Sequence, residues 1–245
     1  MQLSLDYPDL PAYRVRESGR AKRPSVTVCL HEGIVVTVPK RFNQKRLPAL
    51  LAEWQPWLQR QLAQVQKQQS ALAPEMQQSV PALIRLPALG REWNVQHVAG
   101  SGNGVRLRET DNSLLLVAAT INDEAHRAAL LRWLSRRARQ HLEPMTRQLA
   151  GRHGFEFKKV SIRGQRTRWG SCSSTGTISL NYYLMFLAPE LVHAVVLHEL
   201  CHTRHMNHGP RFHALVEALL PRHRDLDQRI NAGWQTIPAW AWRRR

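Results

Sequence analysis

A chain of 245 residues with a formal charge of +17 has room for one large domain or two modest ones, and carries enough arginine and lysine to attract phosphate-rich surfaces. Its three cysteines, Cys29, Cys172 and Cys201, follow no framework of spacings, which argues against a disulfide-stapled secreted domain and for a reducing compartment. The opening Met1–Pro8 lacks the basic start and apolar core of a secretory signal, and no apolar run reaches the length of a membrane span, so a cytoplasmic protein without membrane association is expected.

Tyr13 to Glu17, Ser25 to Leu30 and Ile34 to Val38 are short β-patterned runs, with His31-Glu32-Gly33 as a hairpin turn between the last two. Arg46 to Gln68 has helical periodicity through Leu50, Leu51, Trp54, Trp57, Leu58 and Leu62, and Pro56 is predicted to interrupt it. The glutamine-rich stretch from Gln55 to Gln78 reads as a solvated helix face and linker. Leu83 to Val98 and Val105 to Ala119 return to strand patterns, separated by Gly100-Ser101-Gly102-Asn103-Gly104. No chemical motif lies in this part, and an N-terminal α+β module is predicted over residues 1–120, with a second domain over 121–245.

Asp123 to Ala150 is predicted to form a long helix, with Ala129, Leu130, Trp133, Leu134, Leu142 and Leu149 on its apolar side and arginines opposite. Lys159 to Arg163, Arg168 to Cys172 and Thr177 to Asn181 read as three short strands, the last two joined by a turn at Ser173 to Gly176, which suggests a small antiparallel sheet. Pro189 and Glu190 are good signals for a helix start, and the apolar residues that follow go nearly all round it, as in a buried helix.

That helix carries His198-Glu199-Leu200-Cys201-His202. Histidines four apart lie one above the other on one helical face, so both rings can converge on one metal. Glu199 beside them can act as general base toward a water that the metal activates. The plainer reading, two core histidines bonded to backbone, leaves the desolvation of the buried glutamate unanswered. A hydrolytic zinc site usually has three protein ligands and an open fourth position. His205 would have to reach back about 10 Å along the axis at 1.5 Å per residue. His208 follows His202 by six residues, the spacing of the longer metzincin motif, and Asn207 and Gly209 around it are suited to a helix stop and chain reversal. His198, His202 and His208 are therefore the expected ligands of one zinc ion. His213 falls in the next helical pattern, Pro210 to Leu220, and is expected at the surface or behind the ligands. Tyr182 and Tyr183 could stabilise an oxyanion but are ordinary core residues too. Gly170 is expected to allow a close backbone approach or a bulge, and Cys172 to be a buried, inert thiol.

The segments Arg168-Trp169-Gly170-Ser171-Cys172-Ser173-Ser174, Ile178-Ser179-Leu180-Asn181, His198-Glu199-Leu200-Cys201-His202 and Asn207-His208-Gly209-Pro210-Arg211-Phe212 together resemble the YgjP-like predicted metal-dependent hydrolases, a bacterial zincin family. The last of them is also similar to the third-ligand segment of SprT-like proteases; His213 stands where the family commonly has tryptophan. The resemblance covers roughly Val160 to Leu220. It implies an α+β zincin-like domain, with a backing helix, a small sheet and a buried H-E-x-x-H helix, in which His198, His202 and His208 bind zinc and Glu199 is catalytic. In zincins an extended substrate pairs with an edge strand above the metal, and Thr177, Ile178, Ser179, Leu180 and Asn181 are the expected edge strand here. A peptide bond in a peptide or protein is the expected target, though the same constellation can cleave other amides.

The basic clusters Arg132-Arg136-Arg137-Arg139, Lys158-Lys159-Arg163-Arg166-Arg168 and Arg243-Arg244-Arg245 support a second class of reading. A DNA-associated protein, either a protease of DNA-bound proteins or a non-catalytic module binding nucleic acid non-specifically, would use them. No helix-turn-helix or zinc-finger signature supports recognition of sequence.

Overall fold

The computed structural model describes residues 13–19, 21–29, 33–71, 78–221 and 223–242. The chain divides into two compact units, residues 1–73 and 74–243.

In the first unit β1 (Tyr13–Ser18), β2 (Ser25–Cys29) and β3 (Gly33–Pro39) form a sheet in the order β1-β3-β2, with β1 parallel and β2 antiparallel to β3. The expected turn residues His31 and Glu32 lie outside the described residues, but the two strands they join do pair. Ile34, Val36 and Val38 point from alternate positions of β3 into a core with Tyr13 and with Leu47, Leu51 and Leu58 of α1 (Leu47–Ala71). Pro56 does not end that helix, contrary to expectation. Proline in a helix interior costs about 3 kcal/mol or more. Apolar residues on both sides of it, Leu51 and Leu58, are fully buried and hold the helix continuous through the proline.

The second unit begins with a sheet of β4 (Leu83–Leu86), β5 (Arg91–Ala99), β6 (Arg106–Glu109) and β7 (Ser113–Ala118) in the order β4-β5-β7-β6, where only β5 and β7 run parallel. This sheet was expected with the N-terminal module, yet the units divide after Ala73 and not at 120. The cause is its buried face: Ile84, Leu86, Trp93, Leu114 and Leu116 share one core with Leu130, Trp133 and Leu134 of α2 (Asp123–His153). Trp93 and Trp133 meet edge to face at 5.2 Å, and Glu109 accepts hydrogen bonds from the Trp133 indole (2.9 Å) and from Arg137 Nε (2.9 Å). Asn122 caps the start of α2 by accepting from the Ala125 amide, and Gly154, with φ of 66°, closes its end.

His141 on α2 is held below the ordinary histidine range by burial, and its Nε2 has no hydrogen-bond partner among the described residues. A depressed folded-state pKa means that the imidazole stays neutral in the fold while it protonates in the unfolded chain. The stability it contributes is present above about pH 6.5 and is lost as pH falls toward the folded value. His141→Leu is therefore expected to flatten the decline in urea midpoint between pH 7 and pH 5 relative to the parent.

After α2 come β8 (Lys159–Arg163), β9 (Gly170–Cys172) and β10 (Thr177–Asn181). They form a mixed sheet in the order β8-β10-β9, not an all-antiparallel one: β8 runs parallel to β10, with Ile178 opposite Val160, and β9 runs antiparallel, with Ser179 opposite Ser171. Thr177, Ile178, Ser179, Leu180 and Asn181 are consequently the central strand. Both of their edges are already paired, so a further strand cannot add to them, and the expected role of this segment as a substrate-binding edge is corrected. The outer strands are β8 and β9.

A short 3₁₀ turn at Tyr182–Phe186 leads to α3 (Pro189–Cys201), followed by α4 (Pro210–Leu219) and α5 (His223–Ala232). The α+β architecture expected for the second unit is observed. Among the described residues no helix is long and apolar enough to cross a membrane.

Candidate metal centre

Helix α3 is buried nearly all round, through Leu191, Val192, Val195, Val196, Leu197 and Leu200, so its orientation is set by packing on several sides at once. It ends at Cys201, earlier than the stop expected at Asn207. The amides of Thr203, Arg204 and His205 bond to Leu200 and Cys201 carbonyls in tightened turns, and a short turn from the Asn207 carbonyl to the Gly209 amide (2.8 Å) reverses the chain. Arg204 anchors this loop by donating to the His153 and Gly154 carbonyls at the end of α2.

The reversal brings His208 against the two helix histidines. Nε2 of His202 lies 3.2 Å, and Nε2 of His208 3.4 Å, from Nε2 of His198. All three donor nitrogens fall within 4.8 Å of one another. Nitrogens bound at about 2.0–2.1 Å to a tetrahedral zinc are separated by about 3.3–3.4 Å, the edge of that tetrahedron. His202 directs Nδ1 at the His205 carbonyl, 3.1 Å away. A proton on Nδ1 satisfies that bond and leaves the Nε2 lone pair facing the other two rings. Burial, with the charges of His202, His208 and His213 behind it, lowers the His198 pKa to about 4; burial also lowers His202, opposed by its bond to His205. Neutral imidazoles are the ligating form, so this donor set fits a borderline-soft divalent cation such as zinc.

Phe212 forms the floor. Its buried ring stacks on His202 (centroids 4.4 Å, 21°) and meets His198 and His208 edge-on at 5.1 and 4.7 Å. In the sequence Phe212 stands only within a motif; its position four residues after His208, in the first turn of α4, is the signal for this contact.

Glu199 is 6% exposed, and its Oε2 has no hydrogen-bond partner among the described residues. Burial pushes its carboxyl up to about 8, against the opposing charge of Arg168. Gly170 of β9 is what makes room for it. A Cβ built there would lie 2.6 Å from Oε1, 2.7 Å from Cγ and 2.8 Å from Cδ of Glu199. The close approach expected of Gly170 is thus an approach to this carboxyl. The loop leading into β9 is pinned by Asn181, whose Nδ2 donates to the Gln165 (2.6 Å) and Arg168 (2.8 Å) carbonyls. Gly170→Ala must displace the Glu199 carboxyl, and misplacement of a reacting group by about 1 Å can cost roughly 10²-fold in rate. We expect a loss of that order with metal content unchanged, checked by turnover beside elemental analysis.

The remaining candidates fall outside the cluster. His205 contributes a carbonyl and not its ring, and His213 is exposed, 6.3 Å from His208 by ring centroids. Tyr183 is fully buried and donates its hydroxyl to the Ala241 carbonyl, and Tyr182 packs against it, so both serve the core. Burial raises the thiols of Cys172 and Cys201, the latter to about 11, and neither joins the three donors. Of the basic clusters, Arg137 is held by Glu109, Arg132, Arg136 and Arg139 are exposed on α2, and residues 243–245 lie outside the described residues.

Residues 22–232 match a family model described as YgjP-like, metallopeptidase domain. No curated protein sequence matches the chain. Among solved structures, the metallopeptidase zymogen of Pyrococcus abyssi abylysin is similar at 25% identity, over 37% of this chain and 92% of that one, with a TM-score of 0.35. The metallopeptidase zymogen of Methanocaldococcus jannaschii jannalysin is similar at 22% identity, over 37% of this chain and 94% of that one, with a TM-score of 0.34. A family match over that much of its length makes the chain a member of the YgjP-like metallopeptidase family, and therefore a metal-dependent hydrolase.

Proposed function

We propose that the chain is a zinc peptidase in which His198, His202 and His208 hold the metal, Glu199 is the general base, and β9 receives the substrate. The observation that carries this reading is the pair of Nε2 separations, 3.2 and 3.4 Å, which agree with the edge of a zinc coordination tetrahedron. Zinc bound there supplies Lewis acidity, both for polarising a carbonyl and for lowering the pKa of water.

The protein residues do the rest. Glu199 takes a proton from the attacking water on its unpartnered Oε2 and passes it to the leaving amine. The fully packed α3 and the glycine at 170 fix where that carboxyl sits. Phe212 excludes water from one side of the imidazoles, and the His205 carbonyl keeps the His202 ring in its tautomer. On one side β9 pairs with β10, and its other edge has no strand partner among the described residues. An extended peptide adding there would run past Gly170 and hence past the Glu199 carboxyl.

The test is an incubation of zinc-loaded parent and Glu199→Gln protein with a cell extract, followed by comparison of new peptide termini. Termini generated only by the parent establish proteolysis; identical sets of termini sink the reading.

A further inference from the structure

Beside the metal centre lies a cleft of about 240 Å³, reached past His198, Glu199 and Gly170 and walled by Trp169, Val195, Val216, Leu226, Ile230 and Trp234. We propose that this cleft is the specificity pocket of the enzyme and takes a large apolar side chain, aromatic or leucine-sized, from the residue next to the scissile bond. The inference rests on the peptidase reading and adds its substrate class.

Size comes first. An apolar cavity of roughly 150 Å³ is enough to bind benzene, so this cleft accommodates the ring of a phenylalanine or the fork of a leucine with space to spare. Chemistry agrees with size. The deep walls, Trp169, Val195 and Val216, are buried and apolar, whereas Asp227 and Arg168 are exposed groups at the rim. Trp169 and Trp234 stack on each other at 4.1 Å and 28°, presenting rigid aromatic surface to an incoming group. The buried charged group in the lining is Glu199, which the reaction itself engages, so a charged side chain would leave water for those walls with no other buried partner among the described residues.

The wall contributed by α5 distinguishes a binding pocket from a packing defect. Leu226 and Ile230 sit four apart on one face of a helix whose other residues are largely polar, yet no residue of α5 is fully buried. Its apolar stripe packs against the edge of the core and lines the cleft, so both side chains stay half-buried. The helix is nonetheless held in place, by an Arg229–Glu190 ion pair (2.6 Å) to the start of α3 and by the 3₁₀ turn at Gly233–Thr236 that follows it. Gly233 permits that turn to approach closely, since a Cβ there would lie 2.4 Å from Leu187 Cδ2 and 3.4 Å from the Trp169 ring. An anchored helix whose half-buried apolar face lines the same cleft as the catalytic carboxyl leaves apolar area for a substrate side chain to cover.

The experiment is cleavage of a randomised peptide library by the zinc-loaded full-length protein and by Ile230→Trp, which fills the cleft from α5. For the parent, Phe, Tyr, Trp, Leu or Met is expected at one position adjoining the cut bond, with at least a tenfold preference over Ala. Ile230→Trp is expected to lower that aromatic-to-alanine ratio at least tenfold. Should this variant fail to fold by circular dichroism, Leu226→Ala, which enlarges the cleft, is expected to shift preference toward the largest side chains. Cleavage by the parent without enrichment, or an unchanged ratio in the folded variant, overturns the pocket and leaves the peptidase reading standing. A library untouched by the parent overturns both.

Discussion

Changing His198, His202 or His208 singly to alanine is expected to abolish stoichiometric zinc binding and turnover together, while His205→Ala and His213→Ala keep both. The contrast is sharp because all five are histidines within sixteen positions, and only geometry separates them. The first three turn Nε2 atoms toward one point. His205 acts through its main-chain carbonyl, which alanine retains, and His213 is exposed beyond the cluster of three histidines. Losing the hydrogen-bond partner behind a metal ligand commonly costs about 10–100-fold in metal affinity, and losing one of three ligands costs more than that. Elemental analysis after dialysis, with circular dichroism as the folding control, reads the result directly. The core of the second unit is built from more than thirty apolar residues of sheet and helix, so the alanine variants are expected to stay folded. Full zinc occupancy in His208→Ala, or its loss in His205→Ala, would reassign the third ligand.

The site was legible in the sequence to the extent that its chemistry is local. His198, Glu199 and His202 are related by one helical turn, and helical periodicity states that relation without any knowledge of the fold. His208 was also within reach, because the reversal that carries it needs only a few residues between Cys201 and Pro210. Strand bounds at Lys159–Arg163 and Thr177–Asn181 followed from alternation.

What failed was non-local. The hairpin between β9 and β10 is a neighbour relation that a turn at Ser173 to Gly176 announces, and it is present. The parallel pairing of β8 with β10 spans a crossover, leaves no mark in either strand, and converts the expected edge into the centre of the sheet. Strand polarity within the chain gives no warning of this, since both faces of β10 read the same whichever neighbours it has. The boundary expected at 120 differs from the observed division for a related reason: β4 to β7 look locally like β1 to β3, and it is the core their buried face shares with α2, Trp93 against Trp133 included, that assigns them to the second unit. Helix α5 is harder to read because its sequence is largely charged and its two core-facing apolar residues, Leu226 and Ile230, are only half-buried where they line the cleft.

Glu199→Gln is expected to lower turnover by about 10²–10⁴-fold, the usual contribution of a positioned general base, while zinc binding and fold are retained. The amide keeps the volume and the trigonal shape of the side chain, so the contact with Gly170 is preserved. In the metal-free protein it also removes an ionisable group from a place where burial raises the Glu199 carboxyl to about 8. The stability of the metal-free variant is therefore expected to be equal to or above that of the metal-free parent. Glutamine offers its oxygen as a hydrogen-bond acceptor but cannot take up a proton from water. Separate measurement of kcat and KM decides between the roles open to this side chain. A fall confined to kcat marks proton transfer, whereas a rise in KM at constant kcat would mean that Glu199 serves to bind substrate and that the base lies elsewhere. Comparison with Gly170→Ala sharpens the reading further: that variant keeps the carboxyl and moves it. A general base whose position matters should suffer from both changes, more from the loss of basicity than from the displacement. If Gly170→Ala left the rate untouched, the close approach of β9 to Glu199 would have no part in catalysis.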